Sequence, residues 1–468
     1  MMGITGLLSK IGFNRTIGYA VINKFIQAIA NLLIIFFISQ YMSKTEQGYY
    51  YTFNSMTALQ IFFELGLSFV LLQFIAHEFA HMRFDESSKE ITGSFEHKSR
   101  IASILRLSFK WYSLSALLLI IIIMPAGFYF FSKEANVSDS VNWHSPWVLV
   151  MFATAVNLVC SPFFTMLEGM GRVLEVAKLR FIESIISYVV LLLSLYLHLG
   201  LYSLAFFILS TGLCSIIYFS VNSKNRAIFS QMFGWYSKNS QINWKKEIFP
   251  FQWKIAVSWL SSYFIFQLLN PVLFAYKGPV VAGQMGITLT IFGGLSAISM
   301  TWITTKVPAF SMLVAKREYN ELDKIFFKTL KQALIIAAAV ALGAWLLLLV
   351  LNIYMPKYGS RFLMPLPTLF IAINSLVSQV IYALAVYLRS HKEEPLLLPS
   401  VAGAVTTSFV AFICSKWFGV TELTLSLLLI GIIFYLPWNI KIFKDKRSKW
   451  HSLISHDFNN SNTHLQSA

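Results

Sequence analysis

Basic residues alternate with apolar stretches along this chain in a way that restricts it to a helical bundle threaded repeatedly through a membrane. Twelve apolar stretches are long enough to cross a bilayer, which takes about 20 residues, and they separate thirteen polar segments. Of the 37 Lys and Arg residues, thirty fall in the odd-numbered segments or the helix turns beside them. Six fall in the even-numbered set (Lys44, Lys133, Lys277, Lys357, Arg361 and Lys416), and Lys24 lies inside the first stretch. Loops that stay in the cytoplasm keep Lys and Arg, because moving cations across against the membrane potential is unfavourable. One span too many or too few would have mixed the two sets. The distribution therefore supports twelve crossings, with both termini cytoplasmic.

With 56% apolar and 12% charged residues and a mean hydropathy of +0.64, the chain is an integral membrane protein. The net charge of +16 would suggest nucleic acid as partner for a soluble domain. Here the charge is spread over short loops, where topology and anionic headgroups account for it, and no nucleic-acid partner is expected. Cys160, Cys214 and Cys414 are scattered within spans and build neither a disulfide framework nor a metal cage. The N-terminus leads into its first apolar run without a small-residue cleavage site. The first helix is expected to be retained, preceded by a short interfacial helix carrying Leu7, Leu8 and Ile11.

The predicted spans are 17–41, 48–76, 107–131, 146–167, 179–198, 201–221, 251–275, 280–304, 330–354, 364–387, 396–415 and 422–440. Apolar spacing through Phe74, Phe79 and Met82 predicts that the second continues as a helix beyond the membrane surface. Long and short inside loops alternate in the same order in the two halves, which implies parallel six-helix repeats with a site between them. The domains expected are an N-terminal bundle over 1–222, a cytoplasmic linker over 223–250, a C-terminal bundle over 251–440, and a disordered basic tail over 441–468.

Glu64 is the foremost candidate for function. It sits near the middle of the second span, where a carboxylate costs about 2.5–3.5 kcal/mol. Thr57, Gln60, Glu64 and Ser68 share one face of that helix, and Asn23, Lys24, Gln27 and Asn31 form a matching stripe on the first. Lys24 lies ~7 Å from its helix centre on the cytoplasmic side, a depth that permits an ion pair with Glu64; the alternative is that Lys24 snorkels to the interface. Milder polar faces include Thr154, Asn157 and Ser161 on the fourth span, Lys254 and Ser258 on the seventh, and Asn374 and Ser378 on the tenth. Lys254 and Glu183 sit about one turn from the cytoplasmic ends of their helices and are expected to snorkel.

His77-Glu78-Phe79-Ala80-His81 matches H-E-x-x-H, which on a helix could place two zinc ligands and a general base of a protease on one face. A catalytic zinc needs a third protein ligand, and Glu86, Glu90, Glu96 and His97 nearby form no second motif. The match is judged a decoy, with no metal expected. There is no phosphate-binding loop, no large outside loop and no intramembrane catalytic pair, so transport is what remains.

Three stretches carry a family likeness: Glu46-Gln47-Gly48-Tyr49-Tyr50 with Phe63-Glu64-Leu65-Gly66-Leu67; Leu167-Glu168-Gly169-Met170-Gly171-Arg172 with Ala177-Lys178-Leu179-Arg180; and Leu388-Arg389-Ser390-His391-Lys392-Glu393-Glu394-Pro395. Over roughly residues 15–440 the chain resembles an oligosaccharide or polysaccharide flippase, of the O-antigen or polysaccharide exporter type, of the multidrug/oligosaccharidyl-lipid/polysaccharide exporter superfamily. The resemblance implies an all-α polytopic protein with twelve transmembrane helices in two six-helix bundles around a central cavity. It implies no enzyme, and transfer of an undecaprenyl-pyrophosphate-linked sugar unit across a bacterial cytoplasmic membrane, with membrane lipid and a polysaccharide polymerase as partners. Lys24, Gln27, Asn31, Gln60, Glu64, Asn157, Lys254 and Asn374 would line the cavity, with Arg172, Arg180, Arg389 and Lys392 at its cytoplasmic mouth. No cofactor is implied beyond coupling to H+ or Na+. The competing readings are a cation-coupled drug exporter of the same fold and a membrane zinc protease.

Overall fold

The computed structural model describes residues 15–85, 90–135, 141–234, 242–391 and 393–465. The expected interfacial helix at Leu7–Ile11 lies outside them. Apart from one β-hairpin, the described regular structure is helical, because a backbone crossing hydrocarbon must satisfy its polar groups within its own segment. The first half holds α1 (Arg15–Tyr41), α2 (Lys44–Thr57, continued by a 3₁₀ turn and Ile61–Glu64), α3 (Leu67–Phe79), α4 (Phe95–Leu118), α5 (Met124–Ala135), α6 (His144–Gly169), α7 (Val173–Tyr196), α8 (Tyr202–Val221) and α9 (Ser223–Gly234). The second half holds α10 (Phe249–Phe266), α11 (Leu269–Lys277), α12 (Pro279–Thr304), α13 (Val307–Ala315), α14 (Tyr319–Tyr354), α15 (Pro365–Ser390), α16 (Leu397–Trp417), α17 (Val420–Ile430) and α18 (Leu436–Leu465).

Among the described residues nine helical runs are individually long and apolar enough to cross a membrane, and α2 with α3 makes a tenth, bent by 47°. Helix α1, apolar over Ile29–Tyr41, and the 24-residue α7 complete the twelve predicted spans.

Contacts divide the chain into two compact units after Gly283. The linker 223–250 was expected to be the boundary, but it falls inside the first unit, and the seventh span joins that unit too. Specific packing is the reason. Asn270 Nδ2 donates to Ser55 Oγ at 3.1 Å, and Phe274 meets Tyr49 edge-on at 4.9 Å. At Gly48 a Cβ would lie 1.9 Å from the Pro279 carbonyl oxygen, so only glycine allows that crossing. Around Tyr49 the rings of Phe53, Phe131, Trp143, Trp147 and Phe274 form a buried aromatic core.

Two expectations are corrected. The second span does not continue as a helix: α3 stops at Phe79, and Met82–Phe84 (β1) pairs antiparallel with Ile91–Gly93 (β2). Met82, Arg83 and Phe84 are buried, exposed and half-buried in turn, so the alternation fits a strand, and a short apolar-polar pattern suits either period. The basic tail is helical, with α18 reaching Leu465. Phe443, Arg447 and Trp450 recur on one face: Phe443 and Trp450 are buried, and Arg447 Nε donates to Asp323 Oδ2 at 2.7 Å. Tertiary contacts override a composition that alone predicts disorder.

Candidate functional site

Glu64 ends α2, and the helix breaks immediately after it. Leu65 (φ 52°) and Gly66 (φ 65°) are both left-handed, a conformation that costs a non-glycine residue about 1–2 kcal/mol. The Phe63 carbonyl, freed by the break, accepts from Trp111 Nε1 at 2.9 Å and from Ser115 Oγ at 3.1 Å, both on α4. A Cβ on Gly66 would sit 2.7 Å from Ile255 Cγ2, so the neighbouring helix also holds the kink. Ser68 Oγ, from the first turn of α3, donates to the Glu64 carboxylate, and Tyr112 OH donates to Oε1 at 3.1 Å. Two hydroxyl donors satisfy the carboxylate from one side.

The Glu64 carboxylate faces a cavity of about 400 Å³ inside the first unit. Asn23 and Gln27 of α1, Gln60 and Glu64 of α2, Asn157 and Ser161 of α6, Arg180, Glu183 and Ser187 of α7, and Thr211 and Ser215 of α8 line it. Glu183, only 7% exposed, accepts from Ser215 Oγ at 2.5 Å. Its expected snorkelling is thereby overturned, because a hydroxyl on the next helix satisfies it in place. Asn157 ties α6 to α8: its Nδ2 donates to the Ile208 carbonyl at 2.6 Å, and its Oδ1 accepts from Thr211 Oγ1 at 2.9 Å. The Asn23 Oδ1 is buried without a partner among the described residues. Arg180 places its guanidinium 4.8 Å from the Phe164 ring centre and its Nε 3.7 Å from Glu168.

Of the predicted cavity residues, Gln27, Gln60, Glu64 and Asn157 come together here, joined by Arg180 from the predicted mouth. Asn31 is half-buried and does not line this cavity, and Lys254 is exposed. Asn374 belongs to the second unit, its Oδ1 3.0 Å from where a Cβ on Gly431 would stand. The Lys24 side chain and Lys392 lie outside the described residues, so the Lys24–Glu64 pair does too. Arg172 NH1 donates to Asn225 Oδ1 at 2.8 Å, and its NH2 lies 2.5 Å from Glu175. Arg389 forms a two-pronged pair with Glu394 at 2.8 and 2.7 Å. Sequence reasoning missed Glu183, Ser187, Thr211 and Ser215. The signal was a second polar stripe, Arg180-Glu183-Ser187 at helical spacing, on a helix whose charged start looked like loop.

At the H-E-x-x-H stretch, Glu78 accepts from Arg100 Nε and bonds His97 Nδ1, both at 2.7 Å. Arg100 NH2 also donates to Glu247 at 2.7 Å. Burial opposes ionisation of Glu247, yet the Asn243 N–H and the Arg100 guanidinium hold its carboxyl below the usual range. These groups staple the start of α4 to the segment before α10. Among the described residues no group of three His, Cys, Asp or Glu could hold a metal ion.

The sequence matches no protein-family model and no curated protein. Solved structures do resemble it. An inward-facing multidrug resistance MATE family transporter of the MOP superfamily covers 91% of this chain and 99% of its own at 14% identity, with a TM-score of 0.55. A MOP superfamily transporter from Pyrococcus furiosus, described as having a binding pocket of reverse polarity, covers 93% and 95% at 13% identity and 0.55. The MATE multidrug transporter DinF-BH in complex with R6G covers 94% and 96% at 13% and 0.55. The chain shares their fold. At these identities the likeness establishes architecture, a polytopic all-α membrane protein, and not cargo.

Proposed function

We propose that this chain is a cation-coupled exporter of a bacterial cytoplasmic membrane, both termini inside, and that Glu64 and Glu183 take up the coupling cation. The observation that carries this reading is a polar cavity lined by two carboxylates and one guanidinium. Both carboxylates are held by hydroxyls. Carboxylates at membrane depth are functional candidates because they are expensive to keep there. Among the described residues the lining carries two carboxylates against one guanidinium, a balance that favours a proton or a metal cation over a pyrophosphate. Fold relatives described as multidrug transporters, one of them bound to R6G, support an amphiphilic cationic cargo.

A second reading is transfer of a lipid-linked oligosaccharide with a polymerase downstream. The observation favouring it is Arg180, a cation in the lining where an anionic headgroup could enter. The motif residues do not decide between the two. Gly48 and Gly169 have no room for a Cβ against Pro279 and Ile75, and Gln47 Nε2 donates to the Gly283 carbonyl at 2.9 Å. These residues pack the fold whatever it carries.

The test uses proteoliposomes loaded with R6G under an imposed H+ or Na+ gradient. Wild-type protein should move the dye, and Glu64→Gln and Glu183→Gln should each slow it tenfold or more. Full activity in both variants would remove the assignment. No dye movement under any gradient, together with loss of surface glycan on gene deletion, would establish the second reading instead.

A further inference from the structure

In the second unit, α14 and α18 leave the apolar layer side by side. The 36 residues of α14 extend about 54 Å at 1.5 Å per residue, against a hydrocarbon thickness of about 30 Å. Its apolar run begins at Ala333, so the turns before it reach headgroup depth. There Lys324, Lys328 and Lys331 recur at spacings of four and three, on one face, and all are exposed. Helix α18 passes the same level at Lys441 and Lys444, also exposed.

Between the two helices lies Phe327, 42% exposed. Its ring centre is 6.2 Å from that of Phe443 and 5.5 Å from the Arg447 guanidinium. The face of α14 that begins with the lysines continues as exposed Ile335 and Leu342. The lysine-bearing face of α14 thus holds an exposed ring with Arg447 against it, above an apolar track.

The lysines are little neutralised. Among the described residues Lys328, Lys331, Lys441 and Lys444 enter no ion pair, and Lys324 meets only Glu321, at 3.5 Å. Arg447, by contrast, is paired with Asp323 at 2.7 Å, and Arg100, Arg172 and Arg180 of the first unit also face carboxylates. Retention of cations on one side of a membrane explains their number, but not the alignment of Lys324, Lys328 and Lys331 on the α14 face that continues as an apolar track. We propose that the groove between α14 and α18 binds an anionic phospholipid. The phosphate lies against the lysine ammonium groups, the glycerol on Phe327, and an acyl chain runs along Ile335 and Leu342. A zwitterionic lipid places a cation of its own beside these lysines and binds less well.

The experiment titrates the detergent-purified full chain with phosphatidylglycerol or phosphatidylcholine of the same acyl composition. Retained lipid is counted by native mass spectrometry, and the thermal midpoint is followed. Phosphatidylglycerol should be retained and should raise the midpoint. K324Q/K328Q/K331Q should lose affinity for it on the order of 100-fold, three lysines at about fivefold each, with phosphatidylcholine binding unchanged. K245Q/K246Q, in the first unit, should bind as wild type. Equal retention of both lipids by wild type, or undiminished phosphatidylglycerol binding by the triple variant, overturns the proposal. So does an equal loss in the control variant, which would signal diffuse net charge.

Discussion

Glu183 sits ten residues into α7, and Ser215 on α8 meets its carboxylate at 2.5 Å. A carboxylate so placed need not reach the interface, because a hydroxyl donor inside the bundle offsets part of its desolvation. Glu183→Gln preserves the hydrogen bond while removing the charge, so its export defect separates function from folding. His391 supplies a different kind of test. Its imidazole stacks on Trp450 at 3.6 Å, and burial holds its pKa below the ordinary value. Glu393, Asp323 and His451 also act on it electrostatically, and Tyr387 accepts at its carbonyl. Because the folded pKa is depressed, the unfolded chain takes the proton first, and the associated stability is present above pH ~6.5. It is lost as pH falls from there through the folded value. His391→Phe keeps a stacked ring and should flatten the fall in thermal midpoint between pH 7 and 5; an unchanged fall would place its origin elsewhere. Among single residues, Glu64, Gln60, Gln27 and Asn157 were legible because a polar group in an apolar run stands out. Glu183 was not, since four charges at the start of α7 look the same whether they face water or the bundle.

At the scale of elements, the break between α2 and α3 positions the site. Without it the Phe63 carbonyl would be spent within the helix. With it, Trp111 and Ser115 cap that carbonyl, and Ser68 turns back onto Glu64. Gly66→Ala should destabilise the protein by about 2 kcal/mol, combining a left-handed alanine with a clash against Ile255. Adding Ile255→Ala should recover the clash portion, read as a partial return of the thermal midpoint in detergent. A single variant as stable as wild type would mean that the bend is not fixed by Gly66. The Glu-Leu-Gly sequence was in view from the start, but one apolar run from 48 to 76 reads as continuous. Hydropathy averages over the turn where only two residues, Leu65 and Gly66, change hand. The pairing of β1 with β2 and the helix α18 escaped for a related reason: both take partners distant in sequence, Gln231 for Ile91 of β2 and Asp323 and His391 for α18.

At the scale of the whole molecule, the distribution of basic residues predicts which helix ends share a side. Tyr354, 78% exposed at the end of α14, and Lys449 on α18 should lie on opposite faces of the membrane. With Cys160, Cys214 and Cys414 replaced, a membrane-impermeant maleimide added to intact cells should label Tyr354→Cys and not Lys449→Cys. The reverse pattern would invert the topology. The number of spans and the all-α class were determined by the sequence alone, because hydrocarbon imposes length and apolarity on each segment independently of its neighbours. Which unit the seventh span joins, where the second span breaks and which carboxylates share a cavity were decided only by the tertiary structure. Those outcomes rest on glycine-sized gaps, hydroxyl partners and ring contacts between residues far apart in the chain, and local composition carries no record of them.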